Sequence, residues 1–152
     1  MDRIRARLEA TAFPDLDSMM LGYAAAAADT ARERYRHRLD FTDHSITALE
    51  AVLSELAESL PDADSDEGAD WDFEVRLWGA YLGEVLRRRY NGAWEMTNYP
   101  GGLSSMPAID IRGSRLFPLM KVYRRLTMGE DESVNNFYQM VTERLGKPAQ
   151  VN

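Results

Sequence analysis

The chain contains no cysteine, which excludes disulfide bonds, thiolate catalysis and cysteine-based zinc sites. Long apolar runs are missing too. The longest mostly apolar stretch is residues 19–28, far short of the roughly 20 apolar residues that cross a bilayer. Residues 1–9 hold no apolar run of signal-peptide length. We therefore expect a cytoplasmic protein with no membrane partner.

Basic residues are scarce relative to acidic ones. The chain has 18 lysines and arginines against 25 aspartates and glutamates, which gives a net charge of −7 at pH 7. Nucleic-acid-binding proteins need a basic surface that displaces counterions from phosphates, so we expect no nucleic-acid partner. Only two of the 18 basic residues are lysines, a bias that hints at a GC-rich bacterial genome.

The shortage of positive charge is concentrated in one segment. Between Arg38 and Arg76 the only basic residue is His44, while twelve residues are acidic. The rest of the chain has 18 basic against 13 acidic residues, so a block of net −12 lies in a chain that is otherwise about +5. Charge of one sign on one surface steers and selects partners, which makes this block the main functional signal. Its acids are Asp40, Asp43, Glu50, Glu55, Glu58, Asp62, Asp64, Asp66, Glu67, Asp70, Asp72 and Glu74.

Periodicity in the first half of the chain predicts helices. Residues 17–38 place alanines on one side, with arginines two apart that fan around the helix. Thr42 is expected to cap a second helix, which runs to residue 60 and has Phe41 and Ile46 at the positions of a hydrophobic staple. The acids at positions 50, 55 and 58 lie off its apolar stripe and should face water.

A third helix is predicted over residues 71–90, and it is apolar on more than one side. That pattern predicts burial between two layers. Gly79 and Gly83, four residues apart in this helix, predict close packing against another helix or a sheet. Asn91 and Gly92 supply a left-handed stop.

Alternating polarity then predicts strands at residues 93–97 and 108–112, followed by a tight hairpin at 112–115. Pro118 suits the first position of a new helix, and Asp131 or Ser133 should begin the last one. We therefore predict an α+β fold in the order ααα-βββ-αα, with helices packed on a small three-stranded antiparallel sheet. Residues 1–152 form one domain, in which residues 1–38 are a helical N-terminal segment.

The acidic loop has the spacing of a calcium site without its key residues. Asp62, Asp64 and Asp66 match the first alternating ligands, but Glu67 replaces the required glycine and Phe73 the bidentate glutamate. The two histidines, at positions 37 and 44, lie across a predicted helix break and do not form a zinc motif. We expect no metal and no cofactor.

Several segments together resemble a family of small bacterial domains of unknown function. They are WGAYLGEV at 78–85, GAW at 92–94, the proline at 118, KVYRRL at 121–126 and GEDES at 129–133. The resemblance covers residues 39–146. It implies one compact α+β domain, and it carries no reaction and no site residues.

Two functions from different classes follow from these patterns. The first is a non-catalytic interaction module whose acidic surface binds a basic protein, as immunity proteins and antitoxins mask cationic toxins. Its candidate partner-binding residues are Asp62, Asp64, Asp66, Glu67 and Asp70.

The alternative is a small-ligand binder or an enzyme with a cleft near Glu84, Trp94, Asp110 and Arg124. Two carboxylates that converge in a cleft would permit acid–base chemistry, whereas salt bridges between elements would explain the same charges structurally. A homo-oligomer joined through the alanine-rich face of residues 24–31 is a third hypothesis.

Overall fold

Six α-helices and a three-stranded antiparallel sheet build the part of the chain that the computed structural model describes, residues 2–59, 69–102 and 104–148. The first four helices precede the sheet and the last two follow it. The helices are α1 (Arg3–Ala10), α2 (Leu16–Thr30), α3 (Ser45–Ser59), α4 (Ala69–Tyr90), α5 (Pro118–Met128) and α6 (Val134–Leu145). The strands are β1 (Ala93–Asn98), β2 (Ser105–Ile111) and β3 (Ser114–Leu116).

The predicted α+β class is confirmed, but the predicted order missed α1. This eight-residue helix has one buried side chain, Leu8, and three arginines, so its apolar pattern is too short to reveal it. Its start depends on a cap: Asp2 Oδ1 accepts the amide of Ile4 at 3.0 Å. That bond satisfies one of the free N–H groups of the first turn.

Helix α4 is the centre of the fold. It packs on α2 at one side and on α5 at another, which confirms the prediction of burial between two layers. Trp78, Tyr81 and Leu82 are fully buried along it. A Cβ on Gly79 would lie 2.7 Å from the Leu119 backbone of α5, so the close packing predicted here is confirmed. Within the described ranges, no helix has both the length and the apolar character of a membrane span.

Most alanines of residues 24–31 belong to the interior, although Ala25 is exposed. Ala24, Ala27 and Ala31 have no exposed surface, because α2 packs closely on α4. The alanine-rich face is therefore occupied within the chain itself. The hypothesis that it joins two copies is wrong for this surface.

The sheet has the strand order β1-β2-β3. Trp94 pairs with Ile109 across β1 and β2, and Ile111 pairs with Ser114 across β2 and β3. Arg112 and Gly113 join the last two strands with φ angles of 55° and 85°, as a two-residue hairpin with primed turn geometry requires. The tight hairpin predicted at this point is confirmed.

The segment between α2 and α3 departs from the sequence prediction. Helix α2 continues as a π-helical turn, Ala31–Tyr35, and helical structure ends there rather than at residue 38. Thr42 does not cap α3, because its hydroxyl donates to Asp40 and the helix begins three residues later. Phe41 has a φ of 65°, and its ring lies 4.8 Å from that of Tyr81, whose hydroxyl accepts the Phe41 amide at 2.8 Å.

Candidate functional site

The acidic block divides into acids that have structural partners and acids that face solvent. Glu50 belongs to the first group, contrary to the prediction that it faces water. Its Oε2 accepts the Nε of Arg125 at 2.6 Å, and its Oε1 accepts the amide of Asn135 at 3.1 Å and the hydroxyl of Ser133. This carboxylate therefore joins α3 to α5 and to the start of α6.

The pKa of the Glu50 carboxyl follows from that geometry. Burial alone would raise the pKa of this carboxyl, but the hydrogen bonds from Ser133, Arg125 and Asn135 outweigh burial and hold the pKa below its ordinary value. Arg125 itself is 3% exposed and also donates to Ser54 at 2.6 Å. A buried guanidinium with all these partners acts as a structural tie between helices.

Asp43 is a second acid of the block with structural partners. It accepts hydrogen bonds from Arg89 of α4 and from the hydroxyl of Tyr138 of α6. Although partial burial opposes ionisation, these two donors lower the pKa of Asp43. Burial, together with the Asp43 charge, raises the pKa of Tyr138 above its ordinary range. The trio closes one end of α3 against α4 and α6.

Glu74 is a third such acid. It is partly buried and accepts the indole N–H of Trp78 at 2.7 Å. Burial raises the pKa of Glu74 despite that bond and the nearby Arg34. Burial also raises the pKa of Tyr35 to about 12, with Glu74 and Glu55 as further causes. The ring of Tyr35 lies edge-on to that of Trp78, with 5.9 Å between the ring centroids, so this tyrosine packs on α4.

Among the acids of the block whose exposure the structure describes, Asp40, Asp43, Glu55, Glu58 and Asp72 are exposed. We call Glu55, Glu58 and Asp72, which flank the segment between α3 and α4 in the chain, the acidic surface. Glu55 and Glu58 are three residues apart in α3 and so project from one side of the helix. Within the described ranges none of the three forms an ion pair with lysine or arginine, and Glu55 lies 3.7 Å from His37 Nε2. Uncompensated charge of one sign is thus a structural feature here.

The partner-binding residues predicted from sequence fall mainly in the segment that joins α3 to α4. Asp62, Asp64, Asp66 and Glu67 lie outside the described residues. Asp70 lies in the first turn of α4. Glu58 precedes that segment in the chain and Asp72 follows it. Along the sequence, these two members of the acidic surface are the exposed acids nearest to the segment whose exposure the structure describes.

Of the four residues of the alternative cleft, the structure brings Glu84 and Trp94 together. Glu84 is 1% exposed, and its Oε2 accepts the Trp94 Nε1 at 2.8 Å and the Arg87 Nε at 2.6 Å. Its Oε1 accepts Arg87 Nη2 at 3.0 Å. Both carboxylate oxygens therefore already have donors, and the group fixes the end of α4 to β1.

Asp110 and Arg124 have partners elsewhere. Asp110 Oδ1 accepts the Gly113 amide at 3.1 Å and so stabilises the β2–β3 turn. Arg124 donates to the Tyr99 hydroxyl at 2.5 Å and lies over its ring. Hydrogen bonding does not join these two residues to the Glu84 group. The structural interpretation of these charges therefore has direct support, although their long-range partners were not evident from sequence.

No group of three or more histidine or carboxylate side chains that could hold a metal ion occurs in the portion of the chain that the structure describes. Comparisons of the chain with protein-family models, curated proteins and solved structures find no match. The resemblance of residues 39–146 to small bacterial domains therefore stays a prediction.

Proposed function

We propose that this protein is a non-catalytic interaction module that binds a basic protein through its acidic surface. One observation carries the proposal: Glu55, Glu58 and Asp72 are exposed without a lysine or arginine partner among the described residues. The neighbouring acids Glu50 and Glu74 are held inside by structural donors. Among the residues that the structure describes, the block therefore offers fewer uncompensated exposed acids than its sequence alone suggests.

Exposed negative charge of this kind first affects the rate at which the protein and a cationic partner associate. A negative surface attracts a cationic partner over roughly one Debye length, about 8 Å at physiological salt, and raises the association rate. A few desolvated anchors then determine how slowly the complex dissociates. Immunity proteins and antitoxins that mask cationic toxins use these same physical effects. In keeping with the composition, we expect the partner to be a bacterial cytoplasmic protein.

The test is affinity capture from a lysate of the source organism at low and high salt, followed by measurement of binding to the purified partner. We expect a basic partner whose association rate falls as salt rises. Replacement of Glu55, Glu58 and Asp72 together by lysine should weaken binding by at least roughly tenfold.

A matched control has the same change in net charge at another place. Glu130, Asp131 and Glu143 are exposed acids near α6, and their replacement by lysine should leave the affinity nearly unchanged. Equal losses in the two triple variants would show that only net charge matters. That result, or a partner whose binding ignores salt, would contradict the proposal.

A further inference from the structure

The arginine-rich segment after α2 surrounds a pocket. Its π-helical turn ends at Arg36, which has left-handed backbone angles, φ 59° and ψ 36°. The amides of Arg36 and His37 both donate to the Ala31 carbonyl, the latter at 3.0 Å, and helical structure ends there. As a result Arg32, Arg36, His37 and Arg38 line one depression of about 510 Å³. Because the arginines alternate along the sequence, the pattern predicted that their side chains fan around a continuous helix.

The residues that line this pocket include three arginines and a histidine but no acid. In the part of the chain that the structure describes, Arg36 and Arg38 form no ion pair. Arg32 pairs with Asp29 at 3.0 Å, with both side chains well exposed, a kind of pair that contributes little to stability. Three guanidinium groups and an imidazole therefore face a shared space in a chain of net charge −7.

The left-handed backbone angles at Arg36 are sterically unfavourable for arginine. A helix that ends with a left-handed residue normally has glycine there, because a Cβ crowds the following carbonyl. Glycine would adopt the same left-handed angles without that strain. Strained non-glycine residues concentrate at ligand sites, where the side chain has a purpose beyond the fold. This observation is independent of the charge count.

The chemistry of the pocket identifies a class of ligand. The guanidinium group of arginine binds phosphate and carboxylate oxygens in a bidentate way. Several converging guanidinium groups therefore favour a ligand group with multiple anionic oxygens. Ala28 and Leu39 add an apolar part to the lining. Asp29, Asp40 and Glu55 lie around the pocket, so an extended polyanion would meet like charges beyond it. A compact anion avoids them.

We propose that the pocket formed by Arg32, Arg36, His37 and Arg38 binds the phosphate group of a small phosphorylated molecule. The phosphate accepts hydrogen bonds from the guanidinium groups, and the apolar part of the ligand lies against Ala28 and Leu39. This site adjoins the acidic surface at Glu55, which lies 3.7 Å from His37 Nε2, but the inference does not depend on the function proposed for that surface.

The test is NMR titration of the full-length protein with inorganic phosphate and with adenosine monophosphate. Sodium acetate at equal ionic strength serves as the carboxylate comparison. We expect amide shifts confined to residues 28–39, saturable binding of both phosphates, and tighter binding of adenosine monophosphate because it adds apolar contacts. Arg36→Gly suits the left-handed backbone and should keep the fold while weakening phosphate binding roughly tenfold.

Two further variants make the outcome decisive. Arg38→Gln changes an exposed residue outside the helices and strands and should also weaken binding. Arg144→Gln removes an exposed arginine of α6 and should not. Unchanged affinity in both pocket variants would overturn the proposal, as would shifts spread over other arginines or equal binding of acetate. A short single-stranded oligonucleotide that bound more tightly than adenosine monophosphate would point to nucleic acid instead and would also overturn it.

Discussion

Arg125 of α5 donates to Glu50 of α3 across the protein interior, with Nε and Oε2 2.6 Å apart. The two residues are 75 positions apart in the chain. Their pairing turns one acid of the negative block inward and leaves Glu55 and Glu58, in the same helix, to face solvent. The fold therefore sorts a uniform acidic sequence into structural and exposed acids.

Loss of the Glu50 carboxylate should strongly destabilise the protein. Glu50→Ala leaves the Arg125 guanidinium buried without its counter-charge, and removing one partner of a buried pair costs about 3 kcal/mol or more. The free energy of unfolding, measured by urea denaturation, should fall by that amount. Glu58→Ala removes an exposed acid of the same helix and should change it by less than about 0.5 kcal/mol.

A double variant separates the lost pair from lost packing. In Glu50→Leu with Arg125→Met, neither charge remains to be buried alone, and such apolar replacements are often close to neutral. The double variant should recover most of the stability that Glu50→Ala loses. If Glu50→Ala and Glu58→Ala unfold at the same urea concentration, the proposed role of Glu50 is wrong.

Acid should destabilise the protein through Glu50 and Asp43. Both have a pKa lowered by folding, so the unfolded state binds more protons than the folded state as the pH falls. Their contribution is complete above the ordinary pKa values of 4.5 and 3.8 and is lost as the pH drops through the lower folded values.

The measurement is urea denaturation from about pH 7 down to about pH 3. Wild-type stability should decline below about pH 4.5, and Glu50→Ala should show a shallower decline because one of the responsible groups is gone. Glu74 has a raised pKa and acts in the opposite sense, since protonation is easier in the folded state. Identical pH slopes in wild type and variant would show that Glu50 does not carry the effect.

Local patterns predicted the elements whose surroundings are encoded nearby. The period of α4 indicated two buried sides, and the residues at 112 and 113 indicated the tight hairpin. The partner of Glu50 could not be predicted, because a helix face alone does not tell which distant side chain approaches it. The same limit applies to the exposed acids: their periodicity resembled that of any solvated helix face.

Two local misassignments have a different cause. Helix α1 depends on a cap and on one buried leucine, which gives too weak a pattern to recognise. The end of α2 could not be predicted because an arginine occupies the left-handed position where glycine is the usual signal. The pattern of residues 32–38, with arginines two apart, then led to the prediction that the helix continues to residue 38. The arginine pocket exists because that continuation does not occur.

Gly79→Ala tests the close approach of α4 and α5. Helix propensity alone predicts that alanine would stabilise the helix by about 1 kcal/mol. The added Cβ would lie 2.7 Å from the Leu119 backbone, which cannot move aside as a flexible side chain can. We expect a net destabilisation of about 2 kcal/mol, with a lower Tm by differential scanning calorimetry. An increased Tm would show that α5 shifts without cost.

Arg36→Gly should have the opposite sign. Glycine adopts left-handed angles without the steric penalty that arginine pays at φ 59°, so the variant should unfold at higher urea and gain about 1 kcal/mol. Arg38 has no positive φ, and Arg38→Gly should instead lose about 0.5 kcal/mol through the greater freedom of the unfolded chain. Urea denaturation of both variants separates backbone strain from a general effect of removing an arginine.

If both variants shift in the same direction, repulsion among the arginines dominates and the left-handed strain at Arg36 is negligible. If only Arg36→Gly is stabilised, the protein retains an arginine at a position where glycine folds better, as a ligand site at this pocket requires.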